Sequence, residues 1–296
     1  MMLTLTIGSM QKIALITMIE SNDLNLNEQR GITFSEKRLY EDEAILCFEN
    51  WRKNGGWLKD IPIYAYCPTK NRVSEKTIHA LKSLNVTYIE KYHEETESFF
   101  TGFLNVPFCG MKFEEILSED ILIHTDLDMN LIKPLPEELV LSVSDGSCVR
   151  VGQYDDQTAK GQRKLGSNWE NPLDTGFIIS LRTSHFYRYF YHELMELIKN
   201  KGDDRWKAYC HDQPLYFLEE YVIDKAYNEK IFPIKPVQKY QIGEGYAKVS
   251  TFSDAELEKV YFWHEHILYE KGYYDKVREK LEFTKRLRLF KSNEEL

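Results

Sequence analysis

Two aspartates one residue apart, Asp126 and Asp128, follow the apolar run Ile121-Leu122-Ile123 and precede Met129-Asn130. A short apolar run bounded by polar residues predicts a buried strand, so the acidic pair is delivered to a strand end. In extended backbone, residues i and i+2 project to the same side, which predicts converging carboxylates. Such a pair is costly unless solvated, protonated or bridged by a cation. A hard divalent ion, held by one or two carboxylates and by phosphate oxygens of a substrate, meets that need. The spacing therefore points to a metal and diphosphate site. D-x-D alone is weak, because acidic residues at this spacing arise by chance in acidic chains. Its place at the end of a strand gives it weight.

Positioning such a pair requires a sheet, and the first half of the chain alternates strand and helix patterns. Lys12–Ile19 is a continuous apolar run of the kind found in central parallel strands. A polar loop, Glu20-Ser21-Asn22-Asp23, follows it. A helical pattern covers Ser35–Lys53 and stops at Gly55-Gly56. Ile61–Cys67 reads as a second strand, Ser74 as the cap of a helix to Leu84, and Val86–Ile89 as a third strand. Phe108–Leu117 reads as a helix leading into the strand at Ile121. This alternation predicts βαβ units and a mostly parallel sheet, with ligands at the carboxyl ends of the strands. Both Glu20–Asp23 and the aspartate pair lie at such ends. Further on, Leu139–Ser144 reads as a strand, Val149–Trp169 as a long polar loop, and Phe177–Leu181 as a strand. Ser184–Lys199 and Asp212–Ile223 read as helices.

The 296 residues carry 38 basic against 47 acidic side chains, net −9, which argues against a general nucleic-acid binder. It does not exclude a phosphate-bearing ligand, since a divalent ion reverses the local sign. The five cysteines are scattered with no C-x-x-C pair, as expected of reduced, packed thiols rather than disulfides or a zinc site. No stretch approaches the ~20 apolar residues of a transmembrane helix. Residues 1–10 read as an N-terminal extension. One domain over 11–272 follows, in two unequal halves that meet at about 135. The tail 273–296 reads as an amphipathic helix, with seven basic and two acidic residues between Lys276 and Lys291. It suits either docking on its own domain or peripheral contact with an anionic membrane. The missing anchor and disulfide pattern point to a cytoplasmic protein.

With Ile121–Thr125 followed by Asp126-Leu127-Asp128, the chain resembles the GT-A class of nucleotide-sugar glycosyltransferases. That resemblance implies an α/β, Rossmann-like fold and a metal-dependent enzyme. It implies Mn²⁺ or Mg²⁺, a nucleotide diphosphate sugar (a UDP-sugar foremost) as donor, and a carbohydrate hydroxyl as acceptor. Further stretches follow in the family's order. Asn171-Pro172-Leu173-Asp174-Thr175-Gly176 resembles the element before the acceptor-half strand, where a glycine lets backbone approach a ligand. His211-Asp212-Gln213 resembles the acidic pair opening a helix, though Asp212 equally suits an N-cap. Phe262-Trp263-His264-Glu265-His266 resembles the late-chain histidine that adds a metal ligand. His264 is favoured over His266, and the family's Gly and Lys-Pro-Trp ending is absent.

The resemblance implies Asp126, Asp128 and His264 as metal ligands, with Asp126 also contacting the donor. Glu20, Asn22, Lys112, Gly176 and Gln213 are further donor contacts, although a surface Lys112 also reads as simply solvated. If the enzyme inverts configuration, Asp212 is the first candidate base and Asp174 the second. Arg150, Lys160, Arg163 and Lys164 read either as a basic lid over the diphosphate or as a solvated loop. A non-catalytic nucleotide- or sugar-binding relative and a nucleotidyltransferase are the alternative functions. The latter calls for a Gly-rich basic loop where Glu20–Asp23 stands.

Overall fold

The structure, a computed structural model, describes residues 11–22, 39–94, 102–152, 176–199, 218–238, 241–242, 255, 258, 260–265, 267 and 273–293. Four strands deliver the chain toward the site: β1 (Ile13–Met18), β2 (Ile63–Cys67), β3 (Val86–Glu90) and β4 (Ile121–Thr125). They are linked by helices α1 (Tyr40–Asn54), α2 (Glu75–Ser83) and α3 (Gly102–Ile116). After β4 come β5 (Met129–Leu131), α4 (Glu137–Leu141), β6 (Cys148–Gly152), β7 (Phe177–Leu181), α5 (Phe186–Lys199) and α6 (Leu218–Asn228). The chain continues through β8 (Ile234–Gln238), β9 (Gln241–Ile242), β10 (Phe262–His264) and α7 (Tyr273–Asn293).

The main sheet runs β3-β2-β1-β4-β7-β6-β8. Its pairs are parallel, except that β7 lies antiparallel to both β4 and β6. From β1 the chain winds outward to β2 and β3, then returns to place β4 on the other side of β1. The crevice between the carboxyl ends of β1 and β4 is therefore a topological switch point, where open α/β sheets take their ligands. Both faces of the sheet are covered, which is why its strands read as unbroken apolar runs. Leu15, Ile63, Ile123 and Ile179 pack with Phe48 and Trp51 of α1. Alternate residues Ile16, Leu122 and Ile178 pack with Phe113, Tyr187 and Val222 of α3, α5 and α6. A third cluster joins Val277 and Leu281 of α7 to Leu46, Ile132 and Trp263, so these two side chains seat the first turns of α7 on its own domain.

Several expectations are corrected. Residues 139–144 are not a strand but the end of α4 and a 3₁₀ turn, Ser142–Asp145. Pro136 followed by two glutamates starts a helix, and Gly146 at φ 85° ends the segment. The run from Val149 does not begin as a loop, because Cys148–Gly152 is an interior strand. Helix α3 starts before Pro107 rather than after it. Ser74 caps α2 as expected, its Oγ accepting the Thr77 N–H.

Helices α3 and α5 approach closely because Gly110 has no side chain, and a Cβ there would overlap the buried Tyr187 ring. Gly110→Ala is expected to cost about 1–3 kcal/mol by overpacking. The measurement is a lower urea midpoint at unchanged slope; an unmoved midpoint would mean the two helices part freely. In the same interface Glu114 accepts the N–H groups of Tyr187 (2.8 Å) and Arg188 (3.2 Å), capping the start of α5 from a neighbouring helix. Burial raises its carboxyl from 4.5 to about 7, against the lowering effect of those bonds. The folded state thus holds this proton more tightly than the unfolded chain. The stability it contributes is complete below about pH 4.5 and is lost as pH rises through about 7, by up to about 3 kcal/mol. Denaturation of Glu114→Gln between pH 5 and 8 should lack that decline; a slope equal to wild type would assign the decline elsewhere.

Candidate metal and donor site

The two aspartates do not continue β4 as an extended strand. The Met129 N–H donates to the Asp126 carbonyl (3.1 Å), so Asp126–Met129 is a tight turn between β4 and β5. The turn separates the carboxylates by environment: Asp126 is 39 % exposed and Asp128 only 5 %. Its position is fixed from several directions. The Asp126 N–H donates to the Gly176 carbonyl (2.8 Å). The Thr17 hydroxyl, at the end of β1, donates to the Thr125 carbonyl (2.8 Å), joining the two strand ends that flank the crevice. Gly176 also lies against Met129; a Cβ there would sit 3.0 Å from Met129 Cγ and 3.2 Å from Sδ. Its missing side chain makes room for the turn.

A second, three-stranded sheet, β5-β10-β9, brings the far end of the chain to this turn. In the antiparallel ladder His264 faces Met129 and Trp263 faces Asn130. His264 Nε2 then lies 3.3 Å from Asp128 Oδ1, both side chains nearly buried. The Glu265 N–H donates to the Asp128 carbonyl (3.1 Å). An asparagine ladder supports the turn from below. Asn130 Nδ2 donates to the Asp128 carbonyl (3.2 Å), Asn50 Nδ2 to Asn130 Oδ1 (3.1 Å), and Lys285 of α7 to Asn54 Oδ1 (3.0 Å). Beneath the turn, the Cys47 thiol donates to the Met129 carbonyl (3.6 Å). Burial, then the charges of Asp128, Asp126 and Glu43, hold that thiol far above its usual range, so it stays protonated and inert.

At the end of β1, Asn22 is committed to structure. Its Oδ1 accepts the Glu41 N–H (2.8 Å) at the start of α1 and its Nδ2 donates to Asp42 (3.2 Å). The buried Glu41 carboxylate accepts the Asn22 N–H (3.1 Å) and the Ser74 hydroxyl (2.6 Å). Those bonds outweigh its burial and leave its pKa lowered. Glu20 is buried at the same strand end. Together with burial, its charge raises the thiols of Cys67 and Cys109.

Asp126, Asp128, His264 and Gly176 are thus brought together, with Glu20 and Asn22 at the adjoining strand end. Lys112 is not among them. It pairs with Glu115 (3.2 Å) in the last turn of α3, which feeds the amino end of β4, whereas the aspartates follow its carboxyl end. Arg150 is no lid residue: it lies in β6, 2 % exposed, paired with Asp224 of α6. Asp174, Asp212, Gln213, His266, Lys160, Arg163 and Lys164 lie outside the described residues. Sequence reasoning missed Asn50, Asn130, Glu43 and Glu265. Only Asn130, adjoining the D-x-D, carried a local signal. His124, just before the pair, is fully buried with Nε2 3.9 Å from Asp126 Oδ1, and burial lowers its pKa to about 4, so it is neutral.

Among the described residues no three His, Cys, Asp or Glu side chains already stand together at metal-binding spacing. What stands ready is the Asp128–His264 pair, with the half-exposed Asp126 carboxylate on the same turn. A carboxylate with an imidazole is a donor set that first-row divalent ions accept, and substrate phosphate oxygens complete such shells.

No protein-family profile matches the sequence, and no curated protein does. Solved structures do. The WbbM bifunctional glycosyltransferase aligns over 88 % of this chain at 12 % identity and a TM-score of 0.55. This chain spans 46 % of WbbM's own length. The galactosyltransferase LgtC, solved with donor and acceptor sugar analogues, aligns over 85 % of this chain and 86 % of its own, at 11 % identity and a TM-score of 0.54. An active-site mutant of LgtC aligns over the same shares with a TM-score of 0.53. Likeness at such identity is likeness of architecture, and the switch-point sheet agrees with it: the chain has the GT-A fold, the mostly parallel Rossmann-like sheet of nucleotide-sugar glycosyltransferases.

Proposed function

We propose that this protein is a metal-dependent glycosyltransferase, moving a sugar from a nucleotide diphosphate sugar, a UDP-sugar foremost, to a hydroxyl of a glycan acceptor in the cytoplasm. The observation that carries the reading is the meeting of Asp128 and His264, 3.3 Å apart, at the switch point of a GT-A sheet. LgtC, of the same fold, has been solved with donor and acceptor sugar analogues.

Asp128 and His264 would hold a divalent ion, Mn²⁺ in keeping with the imidazole ligand or Mg²⁺, with Asp126 on the same turn as a further ligand. When bound, the ion supplies Lewis-acid stabilisation of the charge that develops on the leaving diphosphate. The protein does the rest. The β1 loop around Glu20 and Asn22 receives the nucleoside through its backbone and the wall it builds with α1. Gly176, packed on Met129 and with its carbonyl accepting the Asp126 N–H, borders the site beside the transferred sugar, and Gln213 contacts that sugar. In an inverting reaction Asp212, or failing it Asp174, accepts the proton of the attacking hydroxyl.

The test is a thermal-shift panel of nucleotide sugars, each with Mn²⁺ and with chelator. Binding to the native state raises the melting temperature by mass action. A rise with one donor that needs the metal supports donor class and site together. A rise that is identical in chelator removes the metal from the reading, and no rise with any donor removes the donor class.

A further inference from the structure

We propose that Glu265 is a positioning residue: it fastens the strand carrying His264 to the C-terminal helix, and so sets His264 against Asp128. The inference rests on the reading of Asp128 and His264 as metal ligands. In extended backbone, side chains alternate, so Trp263 and Glu265 project away from the side on which His264 meets Asp128. There the Glu265 carboxylate, 5 % exposed, is held by donors from two elements. The Trp263 indole donates to Oε2 (2.8 Å), and the Tyr273 hydroxyl to Oε1 (2.7 Å). The Lys280 ammonium donates to Oε1 (3.3 Å). Tyr273 and Lys280 belong to the first turns of α7. A carboxylate is buried at high cost unless it is paired and hydrogen-bonded, and a hydrophobic side chain would bury the same volume more cheaply. What the carboxylate provides instead is direction, because its oxygens fix Trp263 and α7 at once while the same residue's N–H holds the Asp128 carbonyl (3.1 Å).

The neighbouring anchors show why this role is separable from folding. Two residues on, the Ile267 N–H donates to Glu43 Oε1 (2.8 Å) and its carbonyl accepts the Leu39 N–H (2.8 Å). Val277 and Leu281 keep α7 seated on the domain. Without the Glu265 side chain the segment stays attached, but the strand that carries His264 loses its carboxylate tether to α7. Outer-shell partners that orient a metal ligand typically govern 10–100-fold in affinity.

Mn²⁺ titration of the full chain followed by electron paramagnetic resonance, with melting temperatures taken in chelator, tests this. Glu265→Ala is expected to raise the Mn²⁺ Kd by about 10-fold or more, with His264→Ala as the reference for loss of the ligand itself. If His264→Ala weakens Mn²⁺ but Glu265→Ala stays within about twofold of wild type, whatever its melting temperature, the positioning role is overturned. If His264→Ala leaves the Mn²⁺ Kd unchanged, the metal reading falls and takes the proposal with it. Should Glu265→Ala fail to fold, Tyr273→Phe combined with Lys280→Met removes two of the donors and keeps the Trp263 contact. The same outcomes then apply.

Discussion

Asp128→Asn is expected to lower Mn²⁺-dependent sugar transfer by on the order of 10³-fold, the scale of losing a preorganised charge at the leaving group. The fold should stand. Glu265 and Asn130 bind the backbone carbonyl of residue 128, not its carboxylate, and an amide fills the same space. With two carboxylates no longer sharing one turn, the chelator-treated variant should melt at or slightly above the wild-type temperature. The stabilisation by Mn²⁺ should vanish. Activity against free Mn²⁺ and melting curves with and without metal check both halves. A variant still stabilised by Mn²⁺ and still active would remove Asp128 from the metal seat.

Arg150→Ala should produce the largest loss of stability, about 3–5 kcal/mol, the usual result of stranding one member of a buried ion pair. Arg150 and Asp224 are 2 % and 5 % exposed, so solvent cannot replace the guanidinium. Removing both charges in Arg150→Met/Asp224→Leu should recover most of the loss, because a packed apolar pair avoids the desolvation that the ions carry. Urea denaturation of the single and double variants closes the cycle. A single-variant cost below about 1 kcal/mol would mean that relaxation or water relieves the charge left behind.

That ion pair also shows where the sequence stops being readable. β1, β2, β4 and β7 were legible because each is apolar on both faces, and the position of Asp126 and Asp128 followed from β4. β6 was not, since Cys148–Gly152 carries an arginine at its centre and reads as polar. The partner that permits its burial lies 74 residues away on α6, outside any local window. For the same reason Arg150 read as a residue of a lid or of a solvated loop. The aspartates' spacing suggested two side chains on one side of a strand; only the Met129-to-Asp126 hydrogen bond turns the backbone and sets one carboxylate in the interior and the other at the surface. His264 was found by resemblance, whereas Glu265 and the asparagine ladder answer to no spacing rule. Their partners come from α1 and α7, brought together by the fold.

The strands β5, β9 and β10 are short and lie far apart in sequence, and they have a consequence for motion. β1 is hydrogen-bonded on both sides within the seven-stranded sheet, whereas β10 rests on strands of three residues and two. Opening of so small a unit requires less free energy than opening of the main sheet. In the absence of ligand, the amide protons of Glu265 and Ile267 should exchange with solvent well before those of Leu15 and Ile16. If Asp128 and His264 hold a metal as proposed, its addition should slow exchange at the first two and leave the second pair untouched. The protein would then complete its own architecture at the moment it takes up its metal.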